Sequence, residues 1–307
     1  MKSVLLTGAT GFVGARAIAP LIERGFTVHA VTSQPSVPTS DENVIWHRAD
    51  LLDPSETKEL LKATRPTHLL HFAWYVEHGK FWEAPENLDW IKASFHLVQQ
   101  FVENGGKRIV ATGSISEYAP KDDVIAENSR LEPQTLYAVS KAALYLTLEK
   151  YAKAIGVSFA WGRIFFLFGE NEAPKRLVAS VTQALLKNEI AKTSHGNQIR
   201  DFMSTKEGAQ AFVALLDSEV QGAVNVASGE ARTIKEVVLQ IADLIGNREN
   251  IEFGAIIPPR DEPKSLVADV TRLREEVKWK SSRSFLEQIE ETVNWWKKEL
   301  THQSQQS

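Results

Sequence analysis

Thr7-Gly8-Ala9-Thr10-Gly11-Phe12-Val13-Gly14 is the stretch on which the reading of this chain turns. It follows a strand-length apolar run, Ser3–Thr7, and leads into a helix-like one, Phe12–Arg24. Its glycines permit a tight turn and let backbone N–H groups approach a pyrophosphate at the positive end of a helix. The spacing is Gly-x-x-Gly-x-x-Gly, not the better-known Gly-x-Gly-x-x-Gly of dinucleotide sites. A plain strand-to-helix turn would also use glycine. The place of the motif, at the head of a βαβ unit, favours a dinucleotide. The backbone of Gly8, Thr10, Gly11, Phe12, Val13 and Gly14 is therefore the expected cofactor cradle.

Outward from that turn, strand-length apolar runs recur at Thr27–Thr32, Val44–His47, His68–Phe72, Arg108–Thr112 and Ser158–Trp161. Helix-like stretches at Ser55–Ala63, Glu86–Glu103 and Gln134–Ala154 separate most of them. Such alternation predicts a parallel sheet covered on both faces, with ligands at the C-terminal strand ends. After Gly162 the pattern loosens. Helices are expected at Ala173–Lys187, Thr205–Leu216, Thr233–Ile245 and Ser284–Leu300, and short strands at Gly222–Ala227 and Ile251–Gly254. The domain expectation is a dinucleotide-binding unit over 1–165 with a return segment near 200–227. A substrate-binding lobe over 166–300 and a polar, frayed tail over 301–307 complete it.

Composition narrows the function. The 307 residues carry 39 acidic and 35 basic side chains, a formal net charge of −4. That argues against nucleic acid or an anionic membrane as an obligatory partner. With no cysteine, thiolate chemistry and Cys-ligated zinc drop out, and no metal is called for. No apolar run approaches the roughly 20 residues of a membrane span. Met1 runs straight into a strand, so a cytoplasmic protein is the expectation. Eight tryptophans stand out.

The second strand should end in an acid if the cofactor is NAD. It ends Val31-Thr32-Ser33-Gln34 instead. Hydroxyls at Thr32 and Ser33 can donate to a 2′-phosphate that a carboxylate would repel, and Arg16 could add positive charge. NADP is the expected cofactor; if Thr32 and Ser33 merely end a strand, NAD stays open. Asp50, beside Leu51, could accept from an adenine amino group or simply cap a loop.

Tyr137-Ala138-Val139-Ser140-Lys141 sets a phenol and an ammonium one helical turn apart on the same face. A neighbouring cation lowers a tyrosine pKa. Ser114, at the end of the fifth strand, is the candidate hydroxyl to hold a substrate oxygen. Tyr-x-x-x-Lys alone is common on helix surfaces. Its place after a glycine loop and a strand-end serine, in that order, makes it a candidate acid–base site.

Together these motifs resemble an extended short-chain dehydrogenase/reductase of the nucleotide-sugar-modifying type, the NAD-dependent epimerase/dehydratase family. The likeness covers nearly the whole chain. It implies an α/β fold, a Rossmann-type doubly wound parallel sheet with a smaller α+β C-terminal substrate lobe. It implies Tyr137 as general acid/base and Ser114 as the group polarising the sugar oxygen. Lys141 would hold the nicotinamide ribose and depress the Tyr137 pKa. His71-Phe72-Ala73 resembles the His-x-Ala segment beside the cofactor, placing Phe72 and Ala73 in contact with it. Arg200-Asp201-Phe202 and Arg260, followed by Ala268-Asp269, resemble segments whose arginines meet the substrate diphosphate. Asn225-Val226-Ala227-Ser228-Gly229 resembles the Asn-x-x-x-Gly turn. A homodimer through Glu86–Glu103 and Gln134–Ala154 is implied as well.

The departures are informative. Sugar 4,6-dehydratases of the family carry Asp-Glu after the catalytic hydroxyl residue; here Ile115 and Ser116 stand there. The 4-epimerases usually carry an Asn where this chain has Phe166. Trp90 falls near another usual Asn, with Asn87 one turn earlier, and Glu117 replaces a usual valine. Glu252–Ile256 with Arg260-Asp261-Glu262 looks similar to the synthases that reduce CDP-4-keto-3,6-dideoxy sugars to paratose or abequose. The implied function is NADPH-dependent reduction of a nucleotide-linked 4-keto deoxysugar. The alternative is an epimerase with tightly bound, recycled NAD; an NADP-sensing scaffold fits poorly with an intact Ser114, Tyr137 and Lys141. Trp74, Ser116, Phe166, Arg200 and Arg260 are the expected substrate contacts. The aromatic segment Trp74–Trp82 should border the cleft, as a lid or stacking wall offering Glu77 or His78 as a second acid/base, or as a loop packed over the sheet edge.

Overall fold

The computed structural model describes residues 2–40, 43–120 and 124–306, with side chains as far as 303. Strands β1 (Lys2–Thr7), β2 (Phe26–Thr32), β3 (Val44–Arg48), β4 (His68–His71) and β5 (Arg108–Ser114) lie in one seven-stranded sheet. The Ser158–Ile164 and Gly222–Val226 strands complete it beyond β5. The spatial order is β3-β2-β1-β4-β5, then Ser158–Ile164, then Gly222–Val226, and every pairing is parallel. Strand order reverses between β1 and β4. In open sheets of this kind ligands bind at such a reversal, outside the C-terminal strand ends.

Side chains alternate across the sheet as the pleat requires. Val4, Leu6, Val28 and Val110 pack on one face with Ala17 and Leu21 of α1 (Gly14–Glu23) and Phe212 of α6 (Thr205–Leu216). Leu5, Leu69, Ile109 and Ala111 pack on the other. There they meet α2 (Pro54–Thr64), α3 (Glu86–Glu103) and α4 (Leu136–Ile155) through Leu61, Leu97, Phe101, Leu144 and Leu148. A third cluster joins α5 (Leu177–Leu186), α7 (Ile234–Ile245) and α8 (Phe285–Gln306) through Val181, Ile241 and Ile289. Among the described residues, no helix is long and apolar enough to cross a membrane.

Two strands outrun their expected ends. β5 reaches Ser114 and its neighbour reaches Ile164, past Gly113 and Gly162. These glycines are points of close approach, not stops. A Cβ on Gly113 would lie 2.0 Å from Trp161 Nε1, and one on Gly162 would lie 2.2 Å from the Phe212 ring. The tail expected to fray is helical as far as Gln306. It has no glycine or proline to stop the helix, and Thr301 and Gln303 bond back one turn to Lys297 and Glu299.

Candidate active site

The glycine turn is built by contact. Gly8 has φ +65°, and a Cβ on it would meet the Ala73 backbone N at 2.9 Å. A Cβ on Gly14 would sit 2.2 Å from the Gly8 carbonyl oxygen. Gly11 N–H donates to Gly8 O at 2.9 Å and closes the turn, with Thr10 exposed and Phe12 and Val13 half-buried. α1 starts with no side-chain cap and no acid in its first turn. Its leading N–H groups and dipole are therefore suited to an anion. The cradle fits a dinucleotide pyrophosphate, with Phe72 and Ala73 opposite. Both of their N–H groups donate to Thr7 Oγ1 at 3.2 Å.

At the ribose corner Thr32 is buried, and its hydroxyl accepts from Gln34 N at 3.1 Å. Ser33 is exposed. Arg16 is not there: it donates to the carbonyl and carboxylate of Glu170, at 3.0 and 3.2 Å, on a distant loop. A different cation is. Exposed Arg48, the last residue of β3, is the register partner of Thr32. A basic residue closing the third strand was the available signal. Asp50 Oδ1 accepts from Leu52 N at 2.9 Å, a loop cap, beside buried Leu51.

Ser114, Tyr137 and Lys141 converge at the end of β5, all at least nine-tenths buried. α4 presents its two residues there because Thr135 caps it, accepting from Ala138 N at 3.2 Å. Burial pushes the Tyr137 phenol well above its usual range. A hydrogen bond with Ser114 opposes that rise, the Glu117 charge adds to it, and Arg176 opposes it. The cation that pulls the phenol down is thus Arg176, where Lys141 was expected. Lys141 Nζ donates to Thr112 O at 3.0 Å and lies 3.8 Å from the centre of the Trp74 ring. Burial brings its ammonium down to about 7, with Glu117 opposing the fall.

The aromatic segment is packed onto this trio. Trp74 Nε1 donates to Asn87 Oδ1 at 2.8 Å, and Asn87 Nδ2 donates to the Phe81 and Ala84 carbonyls. The Phe81 and Trp82 rings stand edge-on to Tyr137 at 4.8 and 5.8 Å. Tyr137 N–H donates to Trp82 O. Asn87, one turn before Trp90, therefore fastens the loop that walls the site. Exposed Glu77 is held by Tyr75 and Lys80, away from the trio. His71 is structural. It bridges Thr7 and Ser94 at 2.8 and 2.9 Å, and burial holds it neutral with its pKa down to about 3.

Arg200 is buried in the second half of the chain, 5.6 Å from the Phe166 ring. Its Nη2 donates to Glu262 at 2.7 Å. Arg260, the second arginine expected to meet the diphosphate, is exposed on its loop. Asp201 explains why three motifs accompany one another. Its carboxylate accepts from Ser228 N and Oγ, Gly229 N and Ala268 N, tying the Arg-Asp, Asn-x-x-x-Gly and Ala-Asp segments together.

Comparison with known proteins agrees with this architecture. UDP-glucose 4-epimerase of Corynebacterium glutamicum is 25% identical, covering 94% of this chain and 93% of its own. dTDP-4-dehydro-6-deoxyglucose reductase of Escherichia coli is 24% identical over 91% of this chain and 92% of its own. The NAD complex of Thermus thermophilus UDP-glucose 4-epimerase superimposes with TM-score 0.83 at 24% identity, covering 96% and 98% of the two chains. The model of the NAD dependent epimerase/dehydratase family matches residues 4–227, and the chain is a member of that family.

Proposed function

We propose that the protein is an NADPH-dependent ketoreductase acting on the C4 keto group of a nucleotide-linked deoxysugar. One arrangement carries this reading: Tyr137 is buried beside Ser114 at the end of β5, burial holds its phenol well above the usual range, and neither Ile115 nor Ser116 can serve as a second acid or base. Where a dehydratase has its acid and base, Ile115 packs against the core and Ser116 Oγ accepts from Ser114 Oγ. A dinucleotide held by the Gly8–Gly14 turn would supply hydride to the carbonyl carbon. Ser114 polarises the ketone oxygen, Tyr137 gives its proton to the forming alkoxide, and Lys141 holds the nicotinamide ribose. A phenol kept protonated suits an acid in reduction. The second reading is an epimerase, which would use Tyr137 first as base and then as acid. Epimerases among the relatives keep that second reading in view, yet Phe166 offers no amide where such enzymes use Asn.

NADPH is favoured by the acid-free end of β2 and by Arg48 opposite Thr32. Arg48→Glu is expected to weaken NADPH binding by roughly 10-fold or more and to leave NADH nearly unchanged, read by calorimetry. An equal loss for both cofactors would place the 2′-phosphate elsewhere.

A nucleoside diphosphate reaching Arg200 must compete with Glu262 for the guanidinium. Glu262→Gln is therefore expected to tighten CDP, UDP or dTDP binding by about 3- to 10-fold. Unchanged or weaker binding would remove Arg200 from the diphosphate site. We also propose a homodimer through α3 and α4, which expose Leu88, Val139 and Leu146. Light scattering should give twice the chain mass.

A further inference from the structure

Beneath the Ser114 turn lies a buried ion pair for which the proposed chemistry has no use. Glu117 is fully buried and Arg163 is 1% exposed. One carboxylate oxygen of Glu117 accepts from Ser114 N at 2.8 Å and the other from Arg163 Nε at 2.7 Å. Trp161 Nε1 donates to both, at 3.0 and 3.2 Å. Arg163 Nη1 continues to Tyr118 Oη at 2.9 Å, and that hydroxyl donates to Asn225 Oδ1 at 2.8 Å. The backbone of Ser114 is thus anchored to the Ser158–Ile164 and Gly222–Val226 strands through one side chain. Gly113 makes room for it, since a Cβ there would lie 2.4 Å from Glu117 Oε1. An apolar residue at 117 could fill the volume and make none of these bonds.

The surroundings of Lys141 give the carboxylate a second task. From β5 the Lys141 ammonium meets the Thr112 carbonyl. From the loop after β4 and from the Ser158–Ile164 strand it meets the rings of Trp74 and Trp161. Neutral His71 faces it from β4. On its own helix stands Tyr137, on which Arg176 acts from the loop before α5. Against these groups Glu117 brings negative charge, and Arg163 is its direct partner.

We propose that Glu117 is a positioning residue for the reactive trio, its carboxylate fixing the Ser114 backbone and serving as counter-charge to the buried Lys141 ammonium. This rests on Ser114, Tyr137 and Lys141 being the reactive groups, so the test has one arm that needs no turnover. Trp74 stacks on Lys141, and cation charge alters indole emission. Tryptophan fluorescence of the full-length protein, titrated from about pH 5 to 11, should show a step that Lys141→Met abolishes. Glu117→Gln should move that step down by about one pH unit, and Glu117→Asp by less. Arg163→Gln, which leaves the carboxylate uncompensated, should move it up.

The second arm is ketone reduction with NADPH. Glu117→Gln should lower kcat about 10-fold with KM within about threefold, and Glu117→Asp should recover part of the loss. The alkaline limb of its pH profile should move down, because losing the Glu117 charge lowers both the Lys141 and Tyr137 pKa values. If Glu117→Gln does not fold, the Arg163→Gln titration decides alone. An absent step, a step that stays in place, or one that moves in the same direction in both variants overturns the proposal. Opposite shifts in a protein that reduces no ketone uphold it and refute the ketoreductase reading instead.

Discussion

Tyr137→Phe is expected to slow ketone reduction by about 100- to 10,000-fold, the span of a lost general acid, with dinucleotide affinity within about threefold. The substitution removes one hydroxyl and keeps the ring between its edge-on neighbours Phe81 and Trp82. Fold and wall should therefore survive, and the loss should fall on kcat. Single-turnover mixing of enzyme, NADPH and a keto nucleotide sugar reads the step directly. Ser114→Ala should cost less, since it removes the partner of the phenol and one donor to the ketone but leaves the proton in place. If Tyr137→Phe stays fully active, the acid lies elsewhere.

Lys141→Met is expected to abolish turnover and make the protein more stable. Burial lowers the ammonium from its ordinary 10.5 to about 7. Between those values the unfolded chain holds a proton that the folded chain has released, so stability rises with pH across the window. The cost of burying Lys141 is fully present below about pH 7 and vanishes above about 10.5. At 1.36 kcal/mol per pH unit it is on the order of 5 kcal/mol, and losing the stack on Trp74 takes back about 1–2. Methionine should therefore gain about 3–4 kcal/mol near neutral pH, which is roughly 5–6 °C in Tm for a chain of this length. The gain should shrink steadily toward pH 10. A gain that does not vary with pH would mean that packing, and not the buried charge, is responsible. Stability held back by a reactive group is what a stability–function trade-off predicts.

What the sequence disclosed and what it hid follow from the range of the interactions. Gly8 and Gly14 were legible because their constraint is local: the turn must admit a carbonyl or a neighbouring backbone where any Cβ would clash. Tyr137 and Lys141 were legible because helical spacing alone puts them on one face. The pairs that tune the site were not. Glu117 and Arg163 are 46 positions apart, and Arg200 and Glu262 are 62 apart. Neither residue of such a pair carries a local sign of its partner, and Arg260 two positions away looked the better match for a phosphate. Gly113 and Gly162 misled for the same reason, because the rings that demand glycine come from other elements. The surplus of tryptophan was partly legible. Trp74 lies under Lys141, Trp82 stands edge-on to Tyr137, and Trp296 is core. The contact of Trp161 with Glu117 appears only in three dimensions.

Net reduction of a ketone is read by nicotinamide absorbance during turnover. A panel of 4-keto nucleotide sugars carrying CDP, UDP or dTDP is supplied with NADPH, and absorbance and sugar products are followed together. One NADPH should be consumed per alcohol formed with at least one of these ketones, and the consumption should be lost in Tyr137→Phe. Interconversion of sugars with no net change in absorbance, or a panel that consumes no NADPH, would contradict it.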